Sequence, residues 1–198
     1  MKTLAVYCGA AHGANPIYAD AARALARAMV EHNIALVYGG GKVGLMGVIA
    51  DEVLRLGGEA TGVIPRALVE REVGHAGLTR LFVVKDMHER KAMMSDLSEG
   101  FIAMPGGMGT LEELFEMVTW AQLGIHAKPI GLLNVNGFYD GLRTFVRHQV
   151  EEGFVRSEHE GLMLAESDPE LLIRRLRAAI PAASSTALPP AAADELRG

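Results

Sequence analysis

Cysteine is nearly absent from this 198-residue chain, where Cys8 stands alone. One thiol excludes an internal disulfide and any multi-cysteine metal cluster. There is no excess of positive charge either. Lysine and arginine number 19 against 24 acidic residues, a net charge of −5. A dedicated DNA or RNA binder usually carries a basic face, so nucleic acid is not an expected partner. No apolar run reaches the ~18 residues of a membrane span. The apolar part of the N-terminal MKTLAVYCGAAHG is too short for a signal peptide and reads as a first strand. The expected location is therefore the cytoplasm, away from membranes. The seven histidines, His12, His32, His75, His88, His126, His148 and His159, form no HExxH or other ligand spacing, so no metal is expected. No GxSxG elbow appears, and Ser95 and Ser98 have no His/Asp context.

What is present is an ordinary globular balance, 49% hydrophobic and 22% charged. The length suits one domain, or at most two small ones, with a full core. Glycine is plentiful: 23 of 198 is about 12%, against a usual ~7%. Such an excess points to tight turns or to backbone that approaches a ligand closely.

Short apolar runs alternate with longer amphipathic ones. Strands are expected at Thr3–Tyr7, Ile34–Tyr38, Ala60–Ile64, Thr79–Val84, Phe101–Met104, Lys128–Asn134 and Leu162–Ala165. Helices are expected at Pro16–His32, Gly44–Leu56, Met87–Leu97, Gly109–Leu123, Phe138–Glu151 and Pro169–Ile180. Strands that are continuous apolar runs are typical of parallel sheets buried on both faces. The expected fold is α/β, a Rossmann-like doubly wound parallel sheet with helices on both faces, over residues 1–180. The connection Arg66–Gly77, with Glu70, Arg71, Glu72 and His75, is a candidate cover for a site. The Ala/Pro-rich tail Pro181–Gly198 reads as mobile.

Ligands of such sheets sit beyond the carboxyl ends of the strands. Two glycine loops fall there. Gly39-Gly40-Gly41-Lys42-Val43-Gly44 matches GxGxxG between a strand and a helix. A dinucleotide site also needs an acid at the end of the next strand. That strand ends at Pro65, and Glu59 precedes it, so NAD is disfavoured. Lys42 is followed by Val43, not Ser or Thr, so this is no Walker A loop. A phosphate cradle and a tight packing turn both stay open. The second loop runs Pro105-Gly106-Gly107-Met108-Gly109-Thr110 into Leu111-Glu112-Glu113. Thr110 and Glu113 have capping-box spacing, which would only stabilise the helix. Yet a phosphate cradle gains nothing from two adjacent carboxylates. They make sense where one of them meets sugar hydroxyls or a water.

Arg90 and Lys91 follow the fourth strand, in the opening turns of a helix. A solvated charged face is the ordinary reading, and an anion or sugar contact the functional one. Cys8 ends the first strand and reads as a structural thiol rather than a nucleophile.

YGGGKVGLMG (Tyr38–Gly47), MHERK (Met87–Lys91) and PGGMGTLEE (Pro105–Glu113) together resemble the LOG family of cytokinin riboside 5′-monophosphate phosphoribohydrolases. TWAQLGIHAKPIGLLNVNGFYD (Thr119–Asp140) and EEGF (Glu151–Phe154) look like the same family, and its bacterial branch in particular. The resemblance implies a dimeric, Rossmann-like enzyme that works without a cofactor. It would hydrolyse the N-glycosidic bond of a nucleoside 5′-monophosphate, AMP or its N6-prenylated form, to base and ribose 5-phosphate. It implies nucleotide contacts at Glu72, Arg90, Lys91, Gly107, Met108, Gly109, Thr110, Leu111, Glu112, Glu113 and Thr119. Arg90 and Glu113 would carry the chemistry. Gly39, Gly40, Gly41, Gly44 and Gly106 are phosphate-loop candidates. Many plant members have Pro where Glu70 stands. Two other classes stay open: a nucleotide sensor without turnover and a dinucleotide oxidoreductase.

Overall fold

The computed structural model describes residues 1–69 and 74–180. The expected mobile tail, and Glu72, lie outside the described residues. Seven strands form one parallel sheet: β1 Thr3–Tyr7, β2 Ala35–Tyr38, β3 Ala60–Pro65, β4 Arg80–Val84, β5 Phe101–Ala103, β6 Ile130–Leu133 and β7 Met163–Glu166. Their spatial order is β4-β3-β2-β1-β5-β6-β7. Among the described residues six α-helices accompany them, α1 to α5 between strands and α6 after β7: α1 Ile17–Glu31, α2 Gly44–Arg55, α3 Met87–Asp96, α4 Met108–Gln122, α5 Asp140–Glu151 and α6 Pro169–Ala178. The doubly wound architecture expected from the apolar runs is the one observed.

Alternation along the strands explains the two layers. Leu4 and Val6 of β1 face a core shared with α1, α2 and α6. Ala5 and Tyr7 face the opposite core, shared with α3 and α4. Successive side chains of a strand point to opposite faces, so a strand apolar at every position feeds both. Leu4, Leu25, Leu36, Phe101 and Ile102 are fully buried. Each such side chain contributes roughly 1.5–3 kcal/mol relative to exposure. β4 is one of the two edge strands, and its Leu81, Phe82 and Val83 remain partly exposed.

The strand order reverses between β1 and β5, which are paired through Ala5 with Phe101 and Tyr7 with Ala103. At such a switch point the loops leaving neighbouring strands part to opposite faces and open a crevice. Gly9 donates its amide to Pro105 O at 3.1 Å, and Tyr139 Oη donates to Met104 O at 2.6 Å. These bonds fix the loop that leads into α4.

Candidate active site

α3 and α4 lie side by side on one face, and the cations of the first meet the carboxylates of the second. Asp86 caps α3 by accepting from Glu89 N at 3.0 Å, which sets where the helix begins. Arg90 and Lys91 follow in its second turn. Neither is a solvated surface charge, since each is only 5% exposed. Arg90 Nη2 donates to Gly39 O at 3.2 Å and lies 3.9 Å from Glu113 Oε1. Lys91 Nζ lies 2.5 Å from Glu112 Oε1 and 3.1 Å from Glu116 Oε1.

The capping box is not formed. α4 begins at Met108 with Gly107 as its N-cap in extended backbone, and no side chain caps it. Thr110 is buried inside the first turn, and a Cβ on Gly106 would stand 2.1 Å from its Oγ1. Glu113 is thereby released from capping and turns toward Arg90 with 12% of its side chain exposed.

The glycines divide by cause. A Cβ on Gly39 would stand 1.9 Å from Arg90 Nη2, so this glycine makes room for the guanidinium. Gly40 has φ +77° and its carbonyl accepts from His75 N at 3.0 Å. Gly44 has φ +59°, and a Cβ there would stand 2.3 Å from Ala10 C. Leu45 N, in the first turn of α2, already donates to Gly9 O at 3.0 Å. At Gly39 and Gly44 packing accounts for the residue type. Gly107 and Gly109 differ: a Cβ on either would meet nothing within 4 Å, and both are exposed. The first amides of a helix have no intrahelical acceptor and carry positive potential. At the tip of α4 the space beside Gly107 and Gly109 is open.

Burial shapes the neighbouring groups. Tyr7 ends β1 and Cys8 follows it. Burial, then the Glu113 charge, pushes both above their ordinary values, with Arg90 opposing. Cys8 therefore stays a thiol, in keeping with a structural role. The buried Tyr7 hydroxyl has no hydrogen-bond partner among the described residues.

Of the residues expected at the site, Arg90, Lys91, Glu112 and Glu113 come together, with Gly107, Met108, Gly109 and Thr110 at the helix tip above them. Leu111 is half-buried in the same turn. Thr119 is not part of this cluster. Its Oγ1 donates to Phe115 O at 2.7 Å, and it lies about 18 Å along the helix from Gly107 at ~1.5 Å per residue. Sequence reasoning missed Tyr7 and Glu116. Glu116 stands four residues after Glu112 on one helix face, the spacing that could have flagged a two-carboxylate grip on a cation. Among the described residues no three His, Cys, Asp or Glu side chains are grouped to hold a metal ion.

Two cavities put this cluster in context. One of about 400 Å³ fills the switch-point crevice, lined by Gly9, His12, Tyr18, Gly106, Gly107 and Phe138. Another of about 630 Å³ lies at the opposite end of the sheet around Ile125–Pro129, and no carboxylate lines either cavity. Volume alone does not locate the chemistry.

The family described as possible lysine decarboxylase matches residues 46–176. A probable cytokinin riboside 5′-monophosphate phosphoribohydrolase of Oryza sativa subsp. japonica is 48% identical over 175 residues, covering 88% of this chain and 72% of that protein. A cytokinin riboside 5′-monophosphate phosphoribohydrolase of Arabidopsis thaliana is 46% identical over 180 residues, covering 91% and 84%. Among solved structures, a molybdenum cofactor binding protein of Rippkaea orientalis superposes with a TM-score of 0.68 at 19% identity, covering 90% of this chain and 96% of that one. The Moco carrier protein of Chlamydomonas reinhardtii gives 0.66 at 18%, covering 89% and 97%. Those likenesses show the fold alone, whereas the sequence matches carry PGGMGTLEE and MHERK within them, and by them the chain belongs to the LOG family of phosphoribohydrolases, the family that also bears the lysine decarboxylase description.

Proposed function

We propose that this protein hydrolyses the N-glycosidic bond of a nucleoside 5′-monophosphate, AMP or its N6-prenylated form, to free base and ribose 5-phosphate. The observation that carries this is Glu113 beside Arg90, freed from capping, one turn and a half below the open amides of Gly107 to Gly109. The 5′-phosphate is held at those amides, as anions are at helix N-termini. Packing accounts for Gly39 and Gly44 of the other loop, so the reading rests on the α4 tip. The sugar then lies against Glu113. As the C1′–N bond breaks, its electron pair leaves with the base and positive charge gathers on the sugar ring. The Glu113 carboxylate stabilises that charge and takes the proton of the water that adds at C1′. Arg90, tethered to Gly39 O, faces the negative charge building on the departing base. That proton ends on the base.

The reading extends to assembly and place. α4 leaves Leu111, Phe115 and Trp120 half-buried, and Leu123 beyond it is 69% exposed. A helix apolar on more than one side needs more than one partner surface, and a second copy of the chain would supply it. Among the described residues no helix is long and apolar enough to cross a membrane; we place the protein in the cytoplasm.

The test is product analysis. AMP, GMP, CMP and isopentenyladenosine monophosphate are incubated with the protein, and free base and ribose 5-phosphate are quantified. Stoichiometric release from an adenine nucleotide is expected. Binding of AMP without release of adenine would make the protein a sensor and overturn the reading.

A further inference from the structure

Arg90 and Lys91 are consecutive on a helix, so their side chains leave about 100° apart at 3.6 residues per turn. One site cannot receive both in the same way. Each nevertheless reaches α4, at different carboxylates. Arg90 meets Glu113, and Lys91 is held between Glu112 and Glu116. The two ion-pair distances of Lys91, 2.5 and 3.1 Å, are far shorter than the 3.9 Å of Arg90 to Glu113. Lys91 is 6% exposed at its side chain, and Glu116 is 22%. Burial lowers the affinity of the ammonium for its proton, but the carboxylates of Glu112 and Glu116 outweigh it, and the net effect is upward. Lys91 is therefore charged and already gripped by the protein.

Resting on the phosphoribohydrolase reading above, we propose that Lys91 is a positioning residue rather than a nucleotide ligand: it clamps α3 to α4 through Glu112 and Glu116. The clamp acts on its neighbours in sequence. Arg90 precedes Lys91, and Glu113 follows Glu112. The spacing between the helices at Lys91 therefore sets the spacing between Arg90 and Glu113. Gly39 O fixes the guanidinium from β2, and the clamp fixes Glu113 from α4. The clamp also neutralises charge. Three carboxylates crowd the opening turns of α4, and Lys91 compensates the two that do not face Arg90. The sugar then meets Glu113 without competition from Glu116.

The experiment uses the full chain in three forms: wild type, Lys91→Met and Lys91→Met/Glu116→Gln. Met keeps the length of the side chain and removes its charge. Alone, it strands the buried carboxylate of Glu116, and breaking one side of a buried pair costs more than removing both partners. Positioning predicts a fall in kcat of at least ~30-fold for Lys91→Met, with the dissociation constant for AMP within about threefold of wild type. It further predicts that Glu116→Gln restores at least ~tenfold of the lost kcat, because no carboxylate is then left buried and unpaired between the helices. A phosphate or sugar ligand gives the opposite split. Its loss would raise the AMP dissociation constant at least ~tenfold, and Glu116→Gln would rescue nothing. That result overturns the proposal, as does a Lys91→Met protein unchanged in both constants. If the single variant does not fold, the double variant carries the test, with kcat well above zero and AMP affinity near wild type expected. AMP binding is measured by calorimetry on catalytically inert Glu113→Gln backgrounds as well. A wild type that binds AMP but releases no adenine would refute the hydrolase reading while leaving the affinity comparison at Lys91 intact.

Discussion

Gly109→Val separates the two reasons a chain keeps glycine. Gly109 is the second residue of α4, outside the left-handed region, and a Cβ there meets no atom of the protein within 4 Å. The fold therefore has no objection to a side chain. Valine is a somewhat better helix former than glycine, by a few tenths of a kcal/mol. A domain of this size moves ~2–4 °C per kcal/mol, so the melting temperature should rise by about 1 °C or stay put. A phosphate seated on the α4 amides would collide with the new methyls. We expect kcat/KM for AMP to fall ~100-fold, which is about 2.7 kcal/mol of transition-state binding at ~1.36 kcal/mol per tenfold. Gly44→Ala is the control. Its φ of +59° costs an L-residue roughly 1–2 kcal/mol, and the Cβ would sit 2.3 Å from the backbone carbon of Ala10. A total of at least ~3 kcal/mol lowers the melting temperature by roughly 6–12 °C. Differential scanning fluorimetry and adenine release are read on the same samples. If Gly109→Val keeps kcat/KM within threefold, or unfolds, the open helix tip is not the phosphate site.

Glu113→Gln should lose at least ~100-fold in turnover with a melting temperature within about 2 °C of wild type, because Gly107 and not Thr110 caps the helix; a large stability loss with intact turnover would restore the capping role. Arg90→Ala should be severely impaired in the same assay. Adenosine should be cleaved at least ~100-fold less efficiently than AMP, since a remote phosphate contact contributes to turnover as well as affinity; equal efficiencies would sink the phosphate reading. Sedimentation at micromolar concentration should give twice the 21.2 kDa chain mass, and a species at the chain mass would remove the dimer. Cys8, buried with its pKa raised by burial and by Glu113, should resist thiol reagents at neutral pH on the minutes scale; rapid stoichiometric labelling would show an exposed thiolate.

The strands were legible because buried parallel strands need apolar residues at every position, and TLAVY, IALVY and FIAM supply them without interruption. β4 was legible as a strand but not as an edge, since an edge is defined by what does not pair with it. The site was legible through motif spacing, and its local signals misled where long-range packing decides. Thr110 and Glu113 have the letters of a capping box. Gly107 caps the helix instead, because an extended glycine is a tolerated N-cap and starts α4 three residues earlier than that box requires. The GxGxxG at Gly39–Gly44 reads either as a phosphate cradle or as a packing turn, and Gly39 is small for Arg90, a residue 51 positions away. No local pattern carries that fact. Lys91 looked solvated for the same reason: its two carboxylates lie on a helix that only the fold brings alongside.

The ion pairing of Lys91 also bears on the two chemistries attached to this family. Amino acid decarboxylation on pyridoxal phosphate needs a lysine that gives up its proton and forms a Schiff base. Lys91 is buried between α3 and α4, and Glu112 and Glu116 raise its pKa against the opposing effect of burial. Lys128 is the lysine whose pKa is lowered, by burial above all. It precedes β6 at the end of the sheet away from the α4 tip, and its Nζ donates to Ser95 O at 2.7 Å. The lysine whose pKa is lowered lies away from the α4 tip, and the lysine beside α4 is ion-paired to two carboxylates that raise its pKa. What the cleft does offer is a carboxylate that is not capping, a tethered guanidinium and a helix tip open to an anion. Those three suit the loss of a base from a phosphorylated sugar, where charge develops at C1′ and on the base while the phosphate only holds on.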